Sequence, residues 1–237
     1  MIKAVFFDFY NTLAYFWPPV QEIQAAACRE VGLFVEKEGI LQGYAEADQV
    51  FSRENHDRPL YLRSERERNR FFSHYEQIIL KGAGLDVSLA LAESVWRVGA
   101  TVPKSFALFG DAASTLITLK DMGLATGVLS NLTEDLAPLV QKLGIAPYLD
   151  VLVTSIEVGA EKPDPRMFNA ALEKVGVLPR EAVHVGDQYH SDVGGARAIG
   201  MSAVLLDRGG WHPEISDCPR VAKLTEVAAL LQENAFG

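Results

Sequence analysis

Cysteine is scarce in this 237-residue chain: Cys28 and Cys218 are the only two. They form no CxxC pair and no ladder, so neither a disulfide scaffold nor a zinc site is indicated, and a reducing compartment is expected. Excess positive charge is also missing, since 22 Lys and Arg face 31 Asp and Glu for a net charge of −9. A general nucleic-acid binder needs a cationic surface to meet phosphates, so no nucleic-acid partner is expected. No apolar run is long enough to span a membrane, and the opening "IKAVFF" is too short for the core of a signal peptide. Repeats and low-complexity segments are absent as well. These absences leave a soluble cytoplasmic protein as the expectation. Apolar residues make up 49% of the chain, enough to bury a sizeable core.

What is present has two textures. From about residue 100, short β-branched runs alternate with helical patterns. Strands are expected at 125–131, 148–155, 181–187 and 202–207, and helices at 136–144, 165–176, 192–200 and 221–234. With a further strand at 2–8, the alternation predicts an α/β fold, a doubly wound parallel sheet with helices on both faces. Residues 15–99 carry long helical patterns and hardly any strand-like run. They read as a helical domain inserted into a core made of 1–14 and 100–237, with hinges expected at "WPP" (17–19) and "TVPKSF" (101–106).

Four polar signatures follow apolar runs. Asp8 follows "IKAVFF", Ser130 and Asn131 follow "TGVL", and Asp187 follows "AVHVG", while Lys162 lies in the loop "EVGAEKPDP" shortly after "VLVTS". In an open parallel sheet the carboxyl ends of the strands lie on one edge, where ligands bind. Groups far apart in sequence are therefore expected to meet in one crevice. Singly, an Asp or Asn after a strand is usually a turn former or helix cap. The combination of a nucleophile, a hydroxyl with an amide, an ammonium and an acidic pair points to catalysis. For Thr12 and Asp192 the structural and functional readings stay level.

Together "DFYNT", "LSN", "EKPDP" and "GDQYHSD" resemble the four motifs of the haloacid dehalogenase (HAD) superfamily. The resemblance implies a Rossmann-like core with an inserted helical cap and an Asp nucleophile, here Asp8. It implies that Lys162 offsets the charge of nucleophile and substrate, and that Ser130 and Asn131 hold a phosphoryl oxygen. Thr12 matches the Thr that fixes the first turn and is grouped with these substrate-binding residues. Mg²⁺ is implied on Asp8, the backbone carbonyl of Tyr10, Asp187 and Asp192, because clustered acids suit a hard cation.

Position 10 departs from the pattern. Phosphatases of this superfamily mostly carry a second Asp there, which moves protons. A phenol, with an ordinary pKa of about 10, is a poor proton shuttle near neutrality. Tyr10 resembles the 2-haloacid dehalogenase branch, in which halide leaves without a proton, whereas Asp187 and its acidic motif are phosphatase-like. The leading expectation is a Mg²⁺-dependent phosphatase acting on a small anionic phosphate ester or acyl phosphate. The alternatives are a 2-haloacid dehalogenase and a weakly catalytic or non-catalytic binding protein on the same fold. His190 is a possible substitute acid, against the plainer reading of an exposed histidine. Arg63, Arg66 and Arg70 share a helix face in the insert and read either as a solvated, salt-bridged face or as a grip on an anion.

Overall fold

In a computed structural model the described residues are 1–132 and 135–233, with the side chains of His56, Asp57 and Tyr61 outside the description. The chain opens with β1 (Ala4–Phe7) and β2 (Ala14–Trp17), then runs through α1 (Val20–Glu30), α2 (Lys37–Asp57), α3 (Glu65–Gly82) and α4 (Leu89–Thr101). Next come β3 (Ser105–Leu108), α5 (Ala112–Asp121), β4 (Ala125–Ser130), α6 (Leu136–Lys142), β5 (Val151–Thr154), α7 (Ser155–Val158) and α8 (Pro165–Val175). The chain ends with β6 (Ala182–Gly186), α9 (Gly195–Ala198), β7 (Ser202–Leu206), β8 (Arg220–Val221) and α10 (Thr225–Gln232). A π-helical turn, Tyr189–Gly194, leads into α9. Two compact units result: Met1–Tyr15 with Phe106–Gly237, and Phe16–Ser105.

The first unit is built on the expected parallel sheet, in the order β5-β4-β1-β6-β7-β8. Alternate residues of β1 feed opposite cores, as the period-2 geometry of a strand requires. Val5 and Phe7 join Leu116 and Leu119 of α5 and Val140 of α6. Ala4 and Phe6 join Met167 and Phe168 of α8 and Ala196 of α9. The central place of β1 matters for the site. Phe7 is level with Val128 of β4 and with Val185 of β6. Asp8 is the next residue after Phe7, so it emerges at the same edge as Ser130 and Asp187.

The motif "KPDP" has a local purpose beyond its lysine. The Asp164 carboxylate accepts the Arg166 N–H at 2.9 Å and caps α8, and Pro165 fills the first helical position, where no N–H is needed.

Some elements differ from the expectation. The segment 221–234 does not form one helix. Pro219 and Val221 offer their carbonyls to Leu205 N–H (2.9 Å) and Asp207 N–H (2.8 Å), which draws β8 onto the sheet edge, and α10 starts at Thr225. Asn234 lies outside the described residues. The stretch 192–200 is a π-helical turn followed by the short α9 rather than one helix. Strands β2 and β3, four residues each, pair only with one another, and neither they nor α5 were expected. The two strands carry too few residues for periodicity to register.

The second unit is helical. A capping box starts α3: Ser64 Oγ accepts from Glu67 N–H, and the Glu67 carboxylate accepts from Ser64 N–H at 2.8 Å. Ile40, Ala47 and Ile79 form one apolar cluster, and Ala27, Cys28, Leu80, Ala92 and Val95 another. Between helices run buried polar contacts. Tyr44 donates to Gln24 at 3.1 Å, Gln24 donates to Glu76, and Tyr75 donates to Asp48 at 2.5 Å. Among the described residues no helix is long and apolar enough to cross a membrane.

Candidate active site

Lys162 is the centre of the site. It is 2% exposed, and its ammonium donates to Asp8 Oδ1 and to Asp192 Oδ1, each at 2.6 Å. Its main chain is fixed by Asn131: Lys162 N–H donates to Asn131 Oδ1 at 2.7 Å, and Asn131 Nδ2 donates to the Lys162 carbonyl at 3.0 Å. The Asn131 amide was expected on a phosphoryl oxygen. Both of its ends are engaged with the peptide that carries the lysine.

Asp192 is enclosed on all sides. Besides Lys162 it meets His184 Nε2 at 3.0 Å, and its Oδ2 accepts the Gln188 N–H at 3.0 Å. His184 stands in β6 with no exposure and packs edge-on to Phe168 at 5.3 Å. Its Nδ1 is buried with no hydrogen-bond partner among the described residues. His184 lies among the apolar residues of a buried strand. No local signal marks it, because its partner comes from the turn that follows the strand.

Asp187 stands just beyond β6, and Thr12 Oγ1 donates to its Oδ1 at 3.4 Å. Asp8, Asp187 and Asp192 each offer an oxygen, all within 4.8 Å of one another. Ser130 is buried at the end of β4, where its hydroxyl accepts the Leu132 N–H at 3.2 Å. Among the described residues no hydrogen bond joins Ser130 to the carboxylates. The backbone of Tyr10 bridges to Ala14, and its half-buried ring lies edge-on to Phe106 at 6.4 Å. His190 is exposed.

Burial and charge work against each other here. Burial pushes Asp8 up to about 6, with Lys162 pulling it down and Asp192 adding to the rise. Burial acts in the same direction on Asp192, but Lys162 and then His184 outweigh it and hold that carboxyl below the usual range. Lys162 keeps its proton: burial opposes the charge, and Asp192 and Asp8 more than offset it. Burial lowers His184 despite Asp192, so the imidazole is neutral at pH 7. A second cation added to this cluster would relieve the repulsion among three acids that share one ammonium. Hard oxygen donors at this spacing fit Mg²⁺.

In the helical unit the arginines divide. Arg63 is engaged by Glu54 at 3.1 Å, by the Glu54 and Arg58 carbonyls, and by the Phe71 ring at 4.8 Å. Arg66 and Arg70 line a cleft of about 410 Å³ with Asn69, Ser73 and Leu89. Arg63 precedes α3 while Arg66 and Arg70 lie within it, so the three arginines do not share one helix face as expected.

This constellation at the carboxyl edge of a parallel sheet has counterparts among known proteins. A family model for haloacid dehalogenase-like hydrolases matches residues 2–200. A ribulose-1,5-bisphosphate 5-phosphatase from Halopiger xanaduensis is 32% identical over 87% of this chain and 85% of its own length. A phosphoserine phosphatase from Thermus thermophilus is 41% identical over 58% of this chain and 55% of its own. Among solved structures, a 2-haloacid dehalogenase from Pseudomonas syringae pv. tomato is 25% identical with a TM-score of 0.58, covering 98% of this chain and 99% of that one. The chain belongs to the haloacid dehalogenase-like hydrolase family and is a hydrolase.

Proposed function

We propose that this hydrolase is a Mg²⁺-dependent phosphatase acting on a small anionic phosphate ester or acyl phosphate. The observation that carries the reading is the shared ammonium of Lys162, 2.6 Å from both Asp8 and Asp192, with Asp187 in the same cluster. The two relatives named for phosphatase activity support it. Residues 1–14 and 100–237 are read as the domain that carries the chemistry, and 15–99 as the inserted cap domain.

In this reading an Asp8 carboxylate oxygen attacks phosphorus. The Asp8–phosphorus bond forms as the phosphorus–oxygen bond to the leaving group breaks, giving an acyl phosphate on the enzyme. Water then attacks phosphorus, releases inorganic phosphate and regenerates Asp8. Lys162 remains protonated and balances negative charge on the nucleophile and the transferred group. Asp192 anchors the lysine, and Asn131 holds its backbone. Thr12 orients Asp187, and Ser130 is the hydroxyl left for a phosphoryl oxygen. Asp8, Asp187, the Tyr10 carbonyl and, with its oxygens already engaged, Asp192 are the groups that would hold Mg²⁺. The ion would neutralise phosphoryl charge. Tyr10 supplies no proton, so a leaving group that departs as a stable anion is favoured.

The test is hydrolysis of a panel of phosphate esters and acyl phosphates with Mg²⁺ and with EDTA, alongside calorimetric titration of Mg²⁺. Metal-dependent release of phosphate is expected. Turnover on none of them would sink the reading. Tyr10 keeps a second reading open, a 2-haloacid dehalogenase. Chloride release from 2-chloropropionate that persists in EDTA would establish it, and a strict Mg²⁺ requirement would exclude it.

A further inference from the structure

Arg208 lies just past β7, and no sequence pattern marks it. Its guanidinium makes a two-pronged contact with Asp111 at the start of α5, Nη1 to Oδ2 at 3.0 Å and Nη2 to Oδ1 at 2.9 Å. The same Nη2 donates to the Thr12 carbonyl at 3.0 Å. The guanidinium stacks 3.9 Å above the Phe109 ring, and Phe109 N–H in turn donates to the Leu13 carbonyl at 3.0 Å. Asp111 Oδ2 also accepts the Leu224 N–H at 2.9 Å. One fork therefore ties the end of β7 and the starts of α5 and α10 to the turn that follows Asp8.

That turn needs holding. Asn11 sits at φ 62°, a left-handed conformation that non-glycine residues adopt at a cost. The turn closes on itself through Asn11 N–H to the Ala14 carbonyl at 2.7 Å and Leu13 N–H to the Phe9 carbonyl at 3.0 Å. Thr12 is gripped at both ends: Arg208 takes its carbonyl, and its hydroxyl reaches Asp187 at 3.4 Å.

Stability alone does not explain an arginine here. Its Nε is buried with no hydrogen-bond partner among the described residues, and an orphaned buried donor is unfavourable. An apolar side chain would avoid that cost. What only a planar fork supplies is a fixed angle between a carboxylate and a carbonyl.

We propose that Arg208, locked by Asp111, is a positioning residue that fixes the turn between Asp8 and Thr12 and so aligns the nucleophile with Asp187. The proposal rests on the reading of Asp8 as nucleophile and adds a residue that acts through the backbone of its turn.

The experiment uses the full chain with Arg208→Met, Arg208→Lys and Asp111→Asn, at a temperature where circular dichroism shows each folded. Amide hydrogen exchange over residues 9–14 is read beside kcat and KM on the best phosphate substrate of the unsubstituted protein. Arg208→Met should speed exchange in the turn by about tenfold or more while β6 keeps its protection. It should lower kcat by about 10²-fold with little change in KM, as misplacement of a reacting group does. Arg208→Lys should fall between, because an ammonium meets one acceptor at a time. Asp111→Asn should shift both readouts in the same direction as Arg208→Met. If Arg208→Met fails to fold, these two variants carry the test. A lowered melting point with turn exchange and kcat unchanged overturns the proposal, and so does a fall in kcat without faster exchange in the turn. If the unsubstituted protein hydrolyses no phosphate substrate, the phosphatase reading fails, and the exchange arm still decides whether Arg208 fixes the turn.

Discussion

In the proposed reading, two residues, Asp8 and Tyr10, decide what chemistry the site can do. An amide is not a useful nucleophile, so Asp8→Asn is expected to abolish turnover and to weaken Mg²⁺ binding in calorimetry through loss of one charged oxygen. Tyr10 is expected to give its backbone and its bulk, with its ring edge-on to Phe106. Tyr10→Phe should then leave the rate nearly unchanged. Tyr10→Asp should restore a proton shuttle and raise the rate on esters with poor leaving groups by part of the ~10²–10⁴ range, with no matching gain on acyl phosphates. A collapse of activity in Tyr10→Phe would show that the phenol does chemistry. At this scale the sequence was informative for a physical reason. Asp8, Ser130 and Asp187 each end an apolar run, and parallel pairing brings such ends to one edge. The use of Asn131 on the Lys162 peptide was hidden, since nothing in the residues around position 131 reports a partner in the loop near 162. Arg208 was hidden for the same reason, with its partners at positions 12 and 111.

Among the elements, the passage from β6 through the π-helical turn into α9 is tightly packed around Asp192. A Cβ added to Gly186 would lie 2.2 Å from Asp192 Cγ and Oδ2, far inside van der Waals contact. Gly186→Ala must therefore push Asp192 away from the Gln188 N–H, from His184 and from Lys162. A loss of about 1–3 kcal/mol in denaturant unfolding is expected from the overpacking, together with a fall in kcat as the lysine loses its anchor. Gly194 is the control within the same turn. The nearest atom to an added Cβ is the Tyr189 carbonyl oxygen at 3.5 Å, an ordinary contact. Gly194→Ala should stay within about 0.5 kcal/mol of the unsubstituted protein. Equal effects of the two substitutions would refute the crowding at Asp192. The sequence indicated a helix over 192–200 but not the wider π-helical turn before α9. A six-residue turn ahead of a four-residue helix is too short for a shifted apolar spacing to register. The edge strand β8 was missed because two residues have no pattern of their own. It exists because the edge of β7 still had main-chain groups to pair.

On the scale of the whole molecule, Asp111 and Asp207 of the sheet unit respond to pH in the opposite way to Glu76 and Asp48 of the helical unit, and Asp8, though in the sheet unit, behaves like the latter pair. In the sheet unit, burial raises Asp111 and Asp207, but the Arg208 and Leu224 contacts on the first and the His212 N–H and Arg220 on the second hold both below the ordinary carboxylate range. Their contribution is present above the unfolded pKa and is lost as pH falls through the lowered folded value. In the helical unit, burial pushes Glu76 up to about 7 against the Gln24 hydrogen bond, and Asp48 up to about 6 against Tyr75. The folded state there prefers the neutral acid. Its stabilising effect is full below the unfolded pKa near 4.5 for Glu76 and is lost as pH rises through about 7. For Glu76 a rise of that size corresponds to about 3 kcal/mol of lost stability at alkaline pH. The melting point, measured in EDTA, is therefore expected to climb as pH falls from 8 to about 5.5, and to drop again below about 4, where the sheet-unit acids protonate. The buried Asp8 adds to the first limb when no cation is bound. Glu76→Gln separates the contributions: its side-chain oxygen can still accept from Gln24, and it carries no charge to desolvate. That variant should melt higher than the unsubstituted protein at pH 8, match it near pH 5, and show a flatter rise between them. An identical slope in the two proteins between pH 5 and 8 would mean that Glu76 is ionised in the folded state across that range, with water or a counter-charge reaching it inside the helical unit.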